Sequence, residues 1–302
     1  VSDYAASTFE KGNEDGYVAI YSGMEQVEIA RLVFEEPVWF SSIAGPGDLN
    51  GDGTADIAFG LWSVEESIKS GQSWVGSQVR VISGALFTDP LFVSPTVNID
   101  SEKTLAFTLW TVDGKLGEDV HLKKEGLGYG LNALGDINGD GVPDLGVGTG
   151  AVDDAIILSG ADGKRLHEWT SDKLLLDQFV VETETIGDAN GDGVPDIVVG
   201  RRGSLTLHSG DDGTVLATMT GDGGLGEEIA AVGDLDGDGL SEILAGAPDG
   251  GYALVLSFAL KENTSPSPIT IALEDGKPVL TWSPDLTEGT LERSPDLLNW
   301  SP

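Results

Sequence analysis

Four stretches of the chain set oxygen-bearing side chains at alternate positions and close each set with one more acid. In the first, Asp48, Asn50 and Asp52 precede Gly53, and Asp56 follows with Thr54 between. Glycine permits the sharp turn, and oxygens at loop positions 1, 3, 5, 7 and 9 converge, the seventh through its main-chain carbonyl. Such a set suits a hard cation that takes about 6 to 8 oxygens at about 2.3 to 2.6 Å. The pattern recurs as Asp136, Asn138, Asp140, Val142 and Asp144, and again as Asp188, Asn190, Asp192, Val194 and Asp196. The fourth copy is Asp234, Asp236, Asp238, Leu240 and Glu242. Ca²⁺ is the ion expected at all four sites. Mg²⁺ prefers a small, water-rich octahedron, and softer metals would need the Cys or His that the loops lack. By charge count the fourth loop, with four acids, is expected to bind most tightly.

An EF-hand-like loop begins in the same way but carries an acid at position 12 and runs into a helix. Position 12 here is Phe59, Val147, Val199 or Ala245. The residues that follow the ninth-position acid read DIAFG, DLGVG, DIVVG and EILAG, short apolar runs ended by glycine. These predict buried strands. A plain Asp/Gly turn does not need acids at fixed spacing four times over.

The elements that position the loops are legible in a second pattern. YVAIYSG, VRVISG, AIILSG, LTLHSG and the worn YALVLSF each supply a strand; one precedes the first acidic loop and one follows each loop. Short segments of strand character lie before the loops (VWFSSIAG, YGLNALG, QFVVETETIG, EEIAAVG) and after the SG turns (KRLHEW, TVLATM). Each unit therefore predicts four short strands. The first-acid spacings of 88, 52 and 46 residues, from Asp48 through Asp136 and Asp188 to Asp234, fall near the periods of propellers or solenoids once the long interval is read as one unit with two insertions. In that unit Leu91 to Val97 is taken as the fourth strand. The first unit is expected to start at its third strand, Tyr17, without an acidic loop, and further chain is expected at both ends.

The acidic loops and the stretches LGYGLNALGDINGDGVPDLGVG and LGEEIAAVGDLDGDGLSEILAGAP resemble the FG-GAP repeat of integrin α-subunits and of many secreted bacterial proteins. The resemblance covers roughly residues 17 to 258, and GAP itself survives only at Gly246 to Pro248. It implies an all-β fold, a β-propeller of four-stranded blades forming a fragment or an incomplete ring, with calcium in the hairpin between strands one and two. The expected domains are 1–260 for the blades, 261–268 (KENTSPSP) for a polar linker, and 269–302 for a truncated β-sandwich module similar to fibronectin-like modules.

Composition narrows the function. With 16 Lys and Arg against 51 Asp and Glu the net charge is -35, which repels phosphate backbones and anionic membranes. No apolar run approaches the roughly 18 residues of a spanning helix. Without cysteine there is no disulfide, zinc-thiolate site or thiol nucleophile. No G-x-S-x-G elbow occurs. Of His121, His167 and His208, the last fills a slot that sister strands give to Tyr21, Ile82, Leu158 and Leu256, so it is read as a packing residue. No catalytic residue is assigned. The expected function is a calcium-stabilised scaffold, extracellular or on the cell surface, that binds a glycan or a protein. The rivals are a secreted polysaccharide-degrading enzyme and a structural spacer. Trp62, Trp74 and Trp110, read as lying on the inserted loops opposite the calcium loops, are the candidate ligand-binding residues.

Overall fold

A strand with apolar residues at consecutive positions, such as Ile197, Val198 and Val199, has to be covered on both faces. The computed structural model shows what covers them. It describes residues 4–8, 17–33, 38–65, 73–89, 96–115, 126–150, 154–170, 181–258, 268–274 and 277–282. The first unit contains β1 (Tyr4–Thr8), β2 (Tyr17–Tyr21) and β3 (Glu28–Val33). The second runs through β4 (Val38–Gly47), β5 (Asp56–Glu65), β6 (Ser73–Ile82), a 3-10 turn, β7 (Thr96–Asn98), the one-turn α1 (Glu102–Leu105) and β8 (Thr108–Asp113). The third is β9 (Leu127–Gly135), β10 (Asp144–Thr149), β11 (Ala155–Leu158) and β12 (Arg165–Trp169). The fourth is β13 (Glu182–Gly187), β14 (Asp196–Arg201), β15 (Ser204–His208) and β16 (Val215–Thr220). The fifth is β17 (Ile229–Ala231), β18 (Ile243–Ala247) and β19 (Tyr252–Leu256), followed by a hairpin, β20 (Pro268–Glu274) and β21 (Lys277–Trp282).

The fold is all-β, with almost no helix. Among the described residues five sheets follow one another along the chain, each built on an antiparallel meander, with β7 and β20 added parallel at the edges of the first and fourth. Neighbouring sheets meet face to face. Alternate residues of one strand serve two interfaces: Phe59 of β5 packs toward the first sheet and Ala58 toward the third. In β14, Ile197 and Val199 face the third sheet and Val198 the fifth. The leading strands lie side by side, β4 against β9, β9 against β13 and β13 against β17. Among the described residues no strand pairing joins the fifth sheet to the first.

The glycine that ends the apolar run is explained by this stacking in the second and third sheets. A Cβ on Gly60 would stand 1.8 Å from the Gly128 carbonyl oxygen, and one on Gly148 would stand 1.8 Å from that of Val181. Backbone of the next leading strand occupies the space that a side chain would need.

Three sequence expectations change. The first unit begins a strand earlier, because β1 pairs antiparallel with β2. The fourth strand of the second sheet is β8, which pairs with β6, and not Leu91 to Val97. The expectation failed because Thr96–Asn98 does form a strand, but β7 adds parallel to β3 of the preceding sheet. The insertion thus reaches back over the neighbouring edge, and Arg80 of β6 bonds Asp100 at 2.9 Å. At the other end β20 adds parallel to β16, so this hairpin extends the fourth sheet. Residues 259–267 and 283–302, which include most of the expected linker and the segments GTLERS and LLNW, lie outside the described residues.

The leading strands also gather acids. Asn132 of β9 donates to Glu182 of β13 at 3.1 Å and to the Thr183 carbonyl at 2.7 Å. Burial, reinforced by the charges of Glu228 and Glu184, pushes the Glu182 carboxyl up to about 7.

Two outcomes follow from this packing. Gly148→Ala is expected to cost about 2–3 kcal/mol in urea unfolding, whereas Gly45→Ala, whose Cβ meets nothing within 4 Å, changes stability by less than about 0.5 kcal/mol. Glu182 loses its proton near pH 4.5 when unfolded and near pH 7 when folded, so the native state binds more protons between those values and stability falls as pH rises through that window. Melting curves from pH 4 to 8 are expected to show that fall, and Glu182→Gln to reduce it.

Candidate metal centre

Each acidic loop is the hairpin between the first and second strands of its sheet. The pairing ends at Gly47 and Asp56, at Gly135 and Asp144, and at Gly187 and Asp196. The winding of the loop comes from its own side chains. In the first loop Asp48 Oδ1 accepts from the Gly51 and Asp52 N–H groups at 2.8 and 3.1 Å, and Oδ2 accepts from Gly53 at 2.8 Å. Gly51 and Gly53 hold φ of 75° and 88°, a region open to glycine at little steric cost. Asn50 Oδ1 accepts from Asp52 N–H, and Asp52 Oδ1 from Thr54 N–H, both at 2.9 Å. The same set recurs around Asp136 and Asp188. In the fourth loop Asp234 accepts from Gly237 and Gly239.

The ninth-position acid stands apart from this exposed winding. Asp56, Asp144 and Asp196 are 1%, 0% and 0% exposed. Asp144 Oδ2 accepts from Ile137 and Asn138 N–H at 2.8 and 3.2 Å, and Oδ1 accepts from Gly160 N–H at 3.0 Å. Asp56 takes Leu49 and Gly84 in the same way, and Asp196 takes Ala189, Asn190 and Gly210. Burial pushes these three carboxyls up, and the N–H bonds oppose it.

Gly84, Gly160 and Gly210 belong to the SG turns after the third strands. The serines of those turns also reach the loops. Ser83, Ser209 and Ser257 donate to Asp52, Asp192 and Asp236 at 2.8, 3.1 and 3.2 Å, and Asn138 donates to Ser159 at 3.5 Å. Sequence reasoning missed these Ser and Gly residues as partners of the acids. The available signal was their constant company with the loops.

The loops differ in how far the acids converge. In the fourth, carboxylate oxygens of Asp234, Asp236 and Glu242 lie within 4.8 Å of one another. Glu242 is 3% exposed; its Oε2 accepts from Leu235 N–H, and its Oε1 is buried with no hydrogen-bond partner. An orphaned anionic oxygen beside two exposed carboxylates fits a hard cation. Asp238 and Leu240 of this loop bond to each other, Leu240 N–H to Asp238 Oδ1 at 2.8 Å. In the first and third loops the fifth-position acid turns instead toward the serine and toward Asn50 or Asn190. Thr54, Val142 and Val194 donate their N–H groups to that acid.

The tryptophans are placed differently from expectation. Trp62 and Trp74 lie in β5 and β6, each ten residues long, so the insertion between these strands lengthens the hairpin. Trp110 lies in β8, off any inserted loop; it packs in the core between the second and third sheets and donates Nε1–H to the Gly160 carbonyl at 2.7 Å. That hydrogen bond ties it to the third sheet's SG turn. His208 is buried, with the Trp169 ring tilted against it at a centroid distance of 4.3 Å, and burial lowers its pKa to about 4. His167 Nε2 bonds the Gly210 carbonyl at 2.7 Å, in a cleft of about 340 Å³ between the second and third loops.

With this geometry in place the chain can be compared with known proteins. Residues 188–245 match the FG-GAP-like repeat. The match runs from the first acid of the third loop into β18. In solved structures the chain is similar to the V. cholerae biofilm matrix protein Bap1, at 18% identity and a TM-score of 0.38, over 80% of this chain. It spans 34% of the length of that protein. It is also similar to the Malassezia sympodialis allergen Mala s 1, at 12% identity and a TM-score of 0.46, over 91% of this chain and 85% of that one. No curated protein sequence matches the chain.

The double use of the acids is separable by mutation. In EDTA, Asp144→Asn is expected to destabilise the fold by about 2–4 kcal/mol, because an amide nitrogen would face backbone donors in a buried site. Asp140→Asn, at an exposed position, is expected to stay within about 0.5 kcal/mol under the same conditions. Urea unfolding of both variants checks this.

Proposed function

We propose that the chain is part of a calcium-stabilised β-propeller, extracellular or on the cell surface, whose sheets are blades and which serves as a binding or adhesion scaffold for a glycan or a protein. The observation that carries this reading is the repetition of one geometry: in four successive sheets a hairpin is wound on its first Asp, and its oxygen-bearing residues recur at the sequence spacing that suits calcium. Calcium modules outside cells work at about 0.1–1 mM, the level available there. That supports the location, and the want of cysteine does not oppose it, since a bound metal can replace disulfides as the staple. Among the described residues no helix is long and apolar enough to cross a membrane.

For the ligand face the favoured element is the long β5–β6 hairpin with Trp62 and Trp74, which the repeat itself does not require. The paired ends of these strands at Glu65 and Ser73 lie at the end of the sheet opposite the acidic loop, because the strands alternate in direction. Trp110 has a structural partner and is left out of this face.

Calcium at ten times Kd stabilises by about 1.4 kcal/mol per site, so the melting temperature is expected to be clearly higher in millimolar calcium than in EDTA. Equal melting temperatures, with no calcium bound in calorimetry, would sink the proposal. On a glycan array or whole cells, Trp62→Ala and Trp74→Ala are expected to lower binding while leaving the calcium-loaded melting temperature unchanged.

A further inference from the structure

We infer that the four loops are of two kinds: the first three hold their sheets with or without an ion, and the fourth needs a cation to hold the fifth sheet. The inference rests on the calcium reading above and deepens it. In the second, third and fourth units, which carry the first three loops, the SG glycine sits in a gap no side chain can enter. A Cβ on Gly84, Gly160 or Gly210 would stand 2.0, 1.8 or 2.0 Å from the carbonyl oxygen of Ala55, Pro143 or Pro195, the residue before the ninth-position acid. That close approach brings the glycine N–H to the buried Asp Oδ1, at 3.0, 3.0 and 3.2 Å. Both oxygens of each of these acids therefore have protein donors.

The fifth unit, which carries the fourth loop, differs in both partners. Phe258 stands where the glycine was, and Glu242 stands in place of the aspartate. A Cβ at this position meets the crowding that excludes one at Gly84, Gly160 and Gly210, and Glu242 Oε1 is buried with no hydrogen-bond partner. Phe258 is itself buried in the core between the fourth and fifth sheets. The longer Glu242 side chain brings a carboxylate oxygen to within 4.8 Å of Asp234 and Asp236. A buried anionic oxygen without a donor destabilises the packing around it. A cation seated among the three acids satisfies it and cancels their repulsion. The ion then takes the place of the missing N–H at Glu242, while the turn after β19 keeps its own link to the loop through Ser257 and Asp236 at 3.2 Å.

The test is hydrogen–deuterium exchange on the full chain in millimolar calcium and in EDTA, with calcium binding followed by calorimetry. Amides of β17–β19 are expected to exchange faster in EDTA by on the order of tenfold or more, while those of β9–β16 change by less than about twofold. Glu242→Gln keeps an acceptor for Leu235 N–H and removes the orphaned charge, so its β17–β19 amides are expected to exchange equally in both buffers. Equal acceleration in all sheets, with calcium bound, would overturn the division and leave the calcium reading standing. Calcium sensitivity of β17–β19 that survives in Glu242→Gln would overturn the role given to Glu242. An absence of binding heat together with unchanged exchange would overturn both readings.

Discussion

In each of the first three repeats a buried carboxylate lies where the acidic hairpin, the second strand and the SG turn meet, and it accepts backbone N–H bonds from the loop and from the turn. Burying a charge costs several kcal/mol unless hydrogen bonds satisfy it, and that cost determines much of its surroundings. The loop must present its second residue's N–H, and the turn must come close enough to present another. Only glycine allows the turn that approach, because the carbonyl before the acid occupies the space of a Cβ. The DxNxDG run and the SG dipeptide, separated by two whole strands in sequence, are therefore two sides of one joint.

From this joint the rest of the sheet takes its place. With the first and second strands closed at the acid and the third held by its turn, each sheet presents two apolar faces, and the apolar second residue of the loop, Leu49 or Ile137, joins the core shared with the next sheet. In the fifth sheet the corresponding Leu235 is 60% exposed, since among the described residues no sheet follows to cover it. Stacking, rather than any one sheet, supplies the core. The second unit adds strand β7 to its neighbour's edge, which protects the otherwise open β3.

The worn fourth repeat shows what the joint contributes elsewhere. A change from glycine to Phe258 removes one donor and gains a core side chain, and the acid opposite becomes longer. These changes concern one contact, and neither is interpretable without the other.

Much of this was legible in the sequence because it is local. The acid spacing winds the loop through side-chain to backbone bonds that span five residues or fewer in the first loop, and the apolar runs after it read directly as strands with both faces covered. The number of sheets, the hairpin position of the loops and the buried character of His208 follow from such patterns. What the sequence could not settle depends on contacts between distant segments. Thr96–Asn98 has the look of a fourth strand, and only the free edge of β3 decides that it pairs backward. Trp110 looks like a loop residue until β8 places its indole against Gly160, fifty residues away. The orphaned oxygen of Glu242 is revealed only by the tertiary packing that buries it without a donor.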